Sequence, residues 1–91
     1  MTSFFAGFVH TDNGVTCSDS GLIDLSTAEE CSKAVDYAKT FNGGAQYMGS
    51  GFNSNNHKGC FIYDSGYMYF NTHPTGGRRS EDTSICRKGN T

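Results

Sequence analysis

The chain has 91 residues, a formal net charge of −2 and 18% charged residues, so it reads as one small domain, residues 1–91. A chain of this size buries roughly 60–65% of the surface its unfolded form exposes, a thin margin over chain entropy. With no basic run longer than Arg78–Arg79, the composition argues against nucleic acid and an anionic membrane surface, and no apolar run approaches the roughly 20 residues that span a bilayer.

Residues 3–10, SFFAGFVH, are aromatic-rich and predict an extended segment. The apolar part, FFAGFV (4–9), is too short for a secretory signal and lacks its basic flank. A secretory signal is therefore expected outside this sequence or already removed. Asp12-Asn13-Gly14 predicts a turn. The strongest pattern is a helix over residues 27–41. Ser26 and Thr27 each precede a glutamate by three positions (Glu29, Glu30), the capping-box spacing. Ala28, Cys31, Ala34, Val35, Ala38 and Phe41 recur at three- and four-residue steps and line one face. Glu29 and Lys33 are spaced for a weak ion pair off that stripe. Asn42-Gly43-Gly44 predicts a left-handed stop.

Beyond the helix, GAQYMGSGF (44–52) alternates weakly, and its glycines predict a bulged or edge strand. Residues 51–59 read as a polar loop. CFIYD (60–64) and YMYFN (67–71) predict a hairpin turning through Ser65-Gly66. Residues 72–83 read as a loop and SICRK (84–88) as a short final strand. Strands, one helix, then strands predict an α+β fold, an antiparallel sheet packed on and around a single helix.

Alternation divides the hairpin into two faces. Cys60 and Ile62 with Met68 and Phe70 make the apolar face that suits the helix. Phe61, Tyr63, Tyr67 and Tyr69 fall on the other face, too aromatic for a merely solvated surface. Either another segment covers them, the N-terminal strand being the favoured candidate, or they form a contact patch. Four widely spaced cysteines, Cys17, Cys31, Cys60 and Cys86, match neither zinc knuckles nor a C-x-x-C redox pair. An even number in a short chain predicts a disulfide framework and an oxidising compartment, against the alternative of four buried free thiols. Spacing leaves three pairings open. If Cys60 shares the helix face it meets Cys31, and Cys17–Cys86 would then tie the start of the chain to its end.

The run C-x(6)-DLSTAEECSKAV, then HKGCFIY, YMYFN and SIC, resembles the reduced, four-cysteine relatives of the apple/PAN module over about residues 15–88. In that family a helix with an EEC-x-x-A core precedes a GC strand and a YFN-like strand, and an IC strand closes the module. Full apple/PAN domains carry six cysteines, often with a second one a turn further along the helix. This chain has Val35 there, so one bridge is missing. The resemblance implies a secreted or extracellular, non-catalytic binding module for protein or carbohydrate, of the kind found in algae and other protists. The alternative is a structural subunit that self-associates or assembles into an extracellular filament, wall or larger complex, and a third class is an inhibitor or toxin-like effector. Binding residues in the family are not marked by a motif, so none carries over.

Composition alone offers Tyr63, Tyr67, Tyr69 and Tyr47 as flat contact faces, with Arg78 and Arg79 as nearby charge. Packed tyrosines and solvated arginines are the plainer reading, and slightly the stronger one. KGCFIY (58–63) superficially resembles a strand of the RNA-recognition motif, but Asp64-Ser65 stand where that pattern needs small and aromatic residues, and a second helix is absent from the sequence pattern. His10, His57 and His73 with Asp12, Asp24, Asp64, Glu81 and Asp82 form no catalytic motif, and loop histidines in water are expected. A Cys60 nucleophile would need a free thiol. His57 with Cys60 is too few ligands for zinc, and SEDTS (80–84) too few for calcium. No enzyme, cofactor or metal is expected, and no N-x-S/T sequon occurs.

Overall fold

The computed structural model describes residues 7–88. Of the predicted N-terminal extended segment, residues 3–6 lie outside the described residues, and Phe8–His10 form β1. A 3-10 turn, Ser18–Ser20, and a two-residue strand β2, Ile23–Asp24, precede the helical segment. Then come α1 (Ala28–Lys33), α2 (Val35–Ala38), β3 (Gln46–Gly51), β4 (Gly59–Tyr63), β5 (Tyr67–Asn71) and β6 (Asp82–Arg87). The strands form one sheet in the order β1-β6-β4-β5-β3. β1 and β2 both pair with Cys86 and Arg87, so they flank the same end of β6, one on each edge.

Three expectations are corrected here. The sheet is mixed: every other pair is antiparallel, but β3 runs parallel to β5, with a register shift between Tyr47 and Gly49. Parallel neighbours need a crossover rather than a tight turn, and here β4 is the segment inserted between them in sequence. Nothing in local pattern reveals that direction. The helix, expected as one piece over 27–41, is two short helices interrupted at Ala34 (φ −81°, ψ −1°). There the Ala34 N–H is shared between the Glu30 and Cys31 carbonyls, both at 3.1 Å, a local tightening toward 3-10 geometry. Thr27 caps the start by accepting from the Glu30 amide at 3.1 Å, while Glu30 Oε1 accepts from the Ser26 amide and hydroxyl, each at 2.9 Å. Those bonds hold the Glu30 carboxyl below its ordinary range. The stop is not left-handed either: neither Gly43 nor Gly44 has positive φ, and the Asn42 side chain instead accepts from the Gly44 amide at 3.1 Å.

Core and staple follow the predicted faces. Cys31, Ala34 and Ala38 pack with Leu25, Cys60, Ile62, Met68, Phe70 and Ile85 in one buried cluster, joined at its margin by Ala28, Val35, Phe41 and Tyr47. Cys31 bonds Cys60 inside that cluster, and Cys17 bonds Cys86 on the far end of β6. Both cross-links fit an oxidising environment. Gly66 closes the β4–β5 turn at φ 103°, its amide donating to the Tyr63 carbonyl at 2.9 Å. A Cβ there would stand 2.4 Å from the Gly44 carbonyl oxygen, so the turn accepts no larger residue without moving the chain.

Candidate functional site

The described part of the aromatic N-terminal segment, β1, does not cover the second face of the hairpin. Phe8 and His10 turn to the helical side instead, where the His10 ring stacks on Phe41 at 3.7 Å and His10 Nδ1 meets the Tyr37 hydroxyl at 2.7 Å. Burial lowers the His10 pKa, opposed by Asp12. Loop 53–58 covers part of the outer face through its contacts with Asp82, Ser84 and Asn71, and a cleft remains beside it.

The covered part rests on polar groups. Register places Asp82 opposite Tyr63 and Ser84 opposite Phe61, so both β6 side chains share the outer face. Asp82 Oδ2 accepts from the Asn56 side chain and the His57 amide, both at 3.0 Å. His57 Nδ1 and Ser84 Oγ lie 2.7 Å apart. Asn71, at the end of β5, donates to the Asn53, Asn56 and His57 carbonyls at 2.8, 3.1 and 3.0 Å, while its Oδ1 accepts from the Asn53 and His73 amides. One asparagine thus satisfies three carbonyls and one amide of the loop, whose buried part is Asn56 and His57. From above, Gly76 and Gly77 press on the same loop: Cβ atoms there would sit 2.6 Å from the Lys58 amide and the Ser54 carbonyl, respectively.

His57 is wholly buried, which corrects the expected solvent-exposed loop histidine. Burial lowers its pKa, opposed chiefly by the Asp82 charge and the Arg79 carbonyl. Yet His57 Nε2 and Asp82 Oδ1 complete no hydrogen bond among the described residues. The His57–Ser84 contact has the spacing of a base and a hydroxyl nucleophile, but both residues are fully buried, so in this conformation the pair braces the loop.

The open part is a cleft of about 300 Å³. Its floor is a triangle of rings: Phe61, Tyr63 and Tyr69 lie 5.5, 5.9 and 5.7 Å apart between centroids. Phe61 is buried, whereas Tyr63 and Tyr69 are half-buried. One wall is the covering loop with Phe52, Asn53 and Asn56, and Phe52 is 71% exposed beside the His73 ring. The opposite margin is β3, where register sets Gly49 beside Tyr69 and Gly51 beside Asn71, leaving backbone where other strands carry side chains. A broader hollow of about 580 Å³ runs past Asp24, Lys58 and Pro74, but its two charges already face each other at 3.8 Å. Burial raises the Asp24 pKa, with Lys58 opposing.

Of the residues singled out from composition, the structure brings Tyr63 and Tyr69 together in the cleft. Tyr67 shares their face by register but is not part of its lining, and is 45% exposed. Tyr47 packs against the core cluster. Arg79 lies 5.2 Å from the Tyr63 ring centroid and pairs with Glu81 at 3.2 Å. Arg78 turns away and grips the Asp19 carboxylate, Nε to Oδ2 at 2.8 Å, holding that carboxyl well below its usual range. Phe52, Asn53, Asn56 and Gly51 were missed as site residues. The one available signal was asparagine density in a loop read only as polar. Among the described residues no group of three or more His, Cys, Asp or Glu is placed to hold a metal ion, and no helix is long and apolar enough to cross a membrane. No family model, curated protein or solved structure matches the chain.

Proposed function

We propose that this chain is a non-catalytic, secreted binding module of the apple/PAN type, which engages a protein or glycan partner on the outer face of its central hairpin. The observation that carries this reading is the open cleft. Tyr63 and Tyr69 stay half-exposed around the buried Phe61 ring, while the neighbouring part of the same face is held by a polar network. Concave sites with aromatic floors and a few fixed polar groups are the usual form of a ligand site. Two disulfides support an extracellular setting. The order of helix, GC strand, YFN strand and IC strand supports the apple/PAN assignment. Chemical-shift mapping against glycan and peptide libraries tests the reading. Binding shifts confined to β3, β4, β5 and loop 52–56, and lost in Tyr69→Ala with folding intact, are expected; shifts elsewhere refute it.

A second reading, a subunit that assembles with copies of itself, is favoured by one feature. Met48 and Tyr67 are 46% and 45% exposed on and beside β3, the terminal strand of the sheet. Sedimentation of the purified chain separates the readings: a monomer at high concentration rules out assembly through that edge.

A further inference from the structure

We infer that the cleft takes an uncharged sugar residue, which stacks on the Tyr69 ring and donates a hydroxyl to Asn56 Oδ1. This names the ligand class of the site proposed above and rests on that reading.

Asn56 is the first ground. Its side chain is 97% buried at the cleft wall (3% exposed), and its amide is not free to flip. Nδ2 donates to Asp82 Oδ2 at 3.0 Å, and a carboxylate there accepts only, so the NH₂ must face Asp82. Nδ2 also reaches the Tyr63 hydroxyl at 3.4 Å. The carbonyl end is thereby fixed as the outward one. Oδ1 accepts no hydrogen bond among the described residues, yet it is not among the side-chain atoms sealed from solvent. A nearly buried acceptor of fixed orientation calls for a ligand donor.

Charge is the second ground. The cleft is lined by aromatic rings, asparagines, a serine and a glycine, with no carboxylate, amine or guanidinium among them. Arg79, the nearest cation by contact, sits against Tyr63 with its charge already matched by Glu81. An anionic or cationic ligand would lose hydration without gaining a counter-charge.

Shape is the third. Gly49 and Gly51 leave an opening beside Tyr69, and a Cβ at either position would meet nothing within 4 Å. The cleft opens on the face of the sheet, over the side chains of β4 and β5 rather than along the free edge of β3. A pyranose ring suits all three conditions. Its C–H face packs on an aromatic plane, its rim supplies hydroxyl donors, and it carries no charge.

The experiment uses the 91-residue chain, an array of neutral oligosaccharides, sulfated and sialylated glycans and peptides, and two variants. Gly51→Val places a branched side chain in the opening without disturbing backbone conformation, since Gly51 has no positive φ. Tyr69→Ala removes the stacking plane. Neutral saccharides are expected to bind, with affinity weakened at least about tenfold by each variant while the melting temperature of Gly51→Val stays within a degree or so of the parent. If peptides or anionic glycans bind and Gly51→Val blocks them, the sugar assignment is overturned and the cleft reading stands. If neutral saccharides bind but Gly51→Val leaves them unaffected, the cleft is the wrong site. If nothing in the array binds, both fall.

Discussion

The two faces of the β4–β5 hairpin are built by different chemistry from the same ten or so residues. Toward the helices, Cys60, Ile62, Met68 and Phe70 enter a dry cluster where any apolar neighbour of fitting volume serves. On the outer face, Phe61, Tyr63 and Tyr69 share their plane with Asp82, Ser84 and Asn71, and order depends on individual hydrogen bonds. One face holds the molecule together by area. The other holds a particular loop in a particular place, and the cleft exists only because that loop stops where it does.

Substitutions should expose this division. Met68→Ala, at a fully buried site, should cost about 2–5 kcal/mol and lower the global denaturation midpoint, as core truncations do. Asn71→Ala should cost about 2–3 kcal/mol, because it orphans several backbone groups of loop 53–57 at once. Its signature differs: hydrogen exchange should accelerate selectively in residues 53–58 before the core responds. Uniform acceleration would mean that the two faces are a single cooperative unit.

Acid should act on the outer face next. His57 carries a lowered pKa in the folded state, so the unfolded chain binds its proton more readily. The stabilisation is complete above the ordinary imidazole value of 6.5 and erodes as pH falls below it toward the depressed folded value. The groups acting on His57 are Asp82 and Asp19, which favour its protonated form, and Arg78, which opposes it. His10 shifts in the same direction and contributes to the same window, whereas Asp24, raised by burial, works the other way at lower pH. Thermal denaturation between pH 7.5 and 5 should therefore show a loss that His57→Gln largely removes. A loss unchanged in that variant would assign it to His10. The smallest effect belongs to Arg79→Ala, expected to leave the denaturation midpoint close to that of the parent, because the guanidinium touches Tyr63 only at an exposed rim.

Legibility in sequence followed the same divide. Apolar alternation in CFIY and YMYF identified the helix-facing side chains, and with them the Cys31–Cys60 partnership, since burial on a sheet has a period of two that any reader can count. The helical stripe was visible for the same reason, though its break at Ala34 was not, being a one-residue change in ψ among ordinary helix formers. The outer face offered no such period. Whether Asn71 or Asn56 meets water or a carbonyl depends on how a distant loop folds back, and GFNSNNHKG carries no residue pattern for that. His57 looked solvated for want of any signal that Asp82 and Ser84, well over twenty positions away, would enclose it. The parallel course of β3 was hidden likewise, because strand direction is a property of the connection.

The Cys17–Cys86 bond has a mechanical consequence. Gly7 and Lys88 lie together, the Lys88 amide donating to the Gly7 carbonyl at 3.2 Å, and β1 runs antiparallel to β6 from that end. Tension applied at these two points would open β1 from β6 like a zipper, one rung after another, until the slack up to Cys17 is drawn out. The load then passes directly through the sulfur bridge to Cys86. Everything between those cysteines, including both helices, the hairpin and the cleft, lies outside the load path while the link carries force.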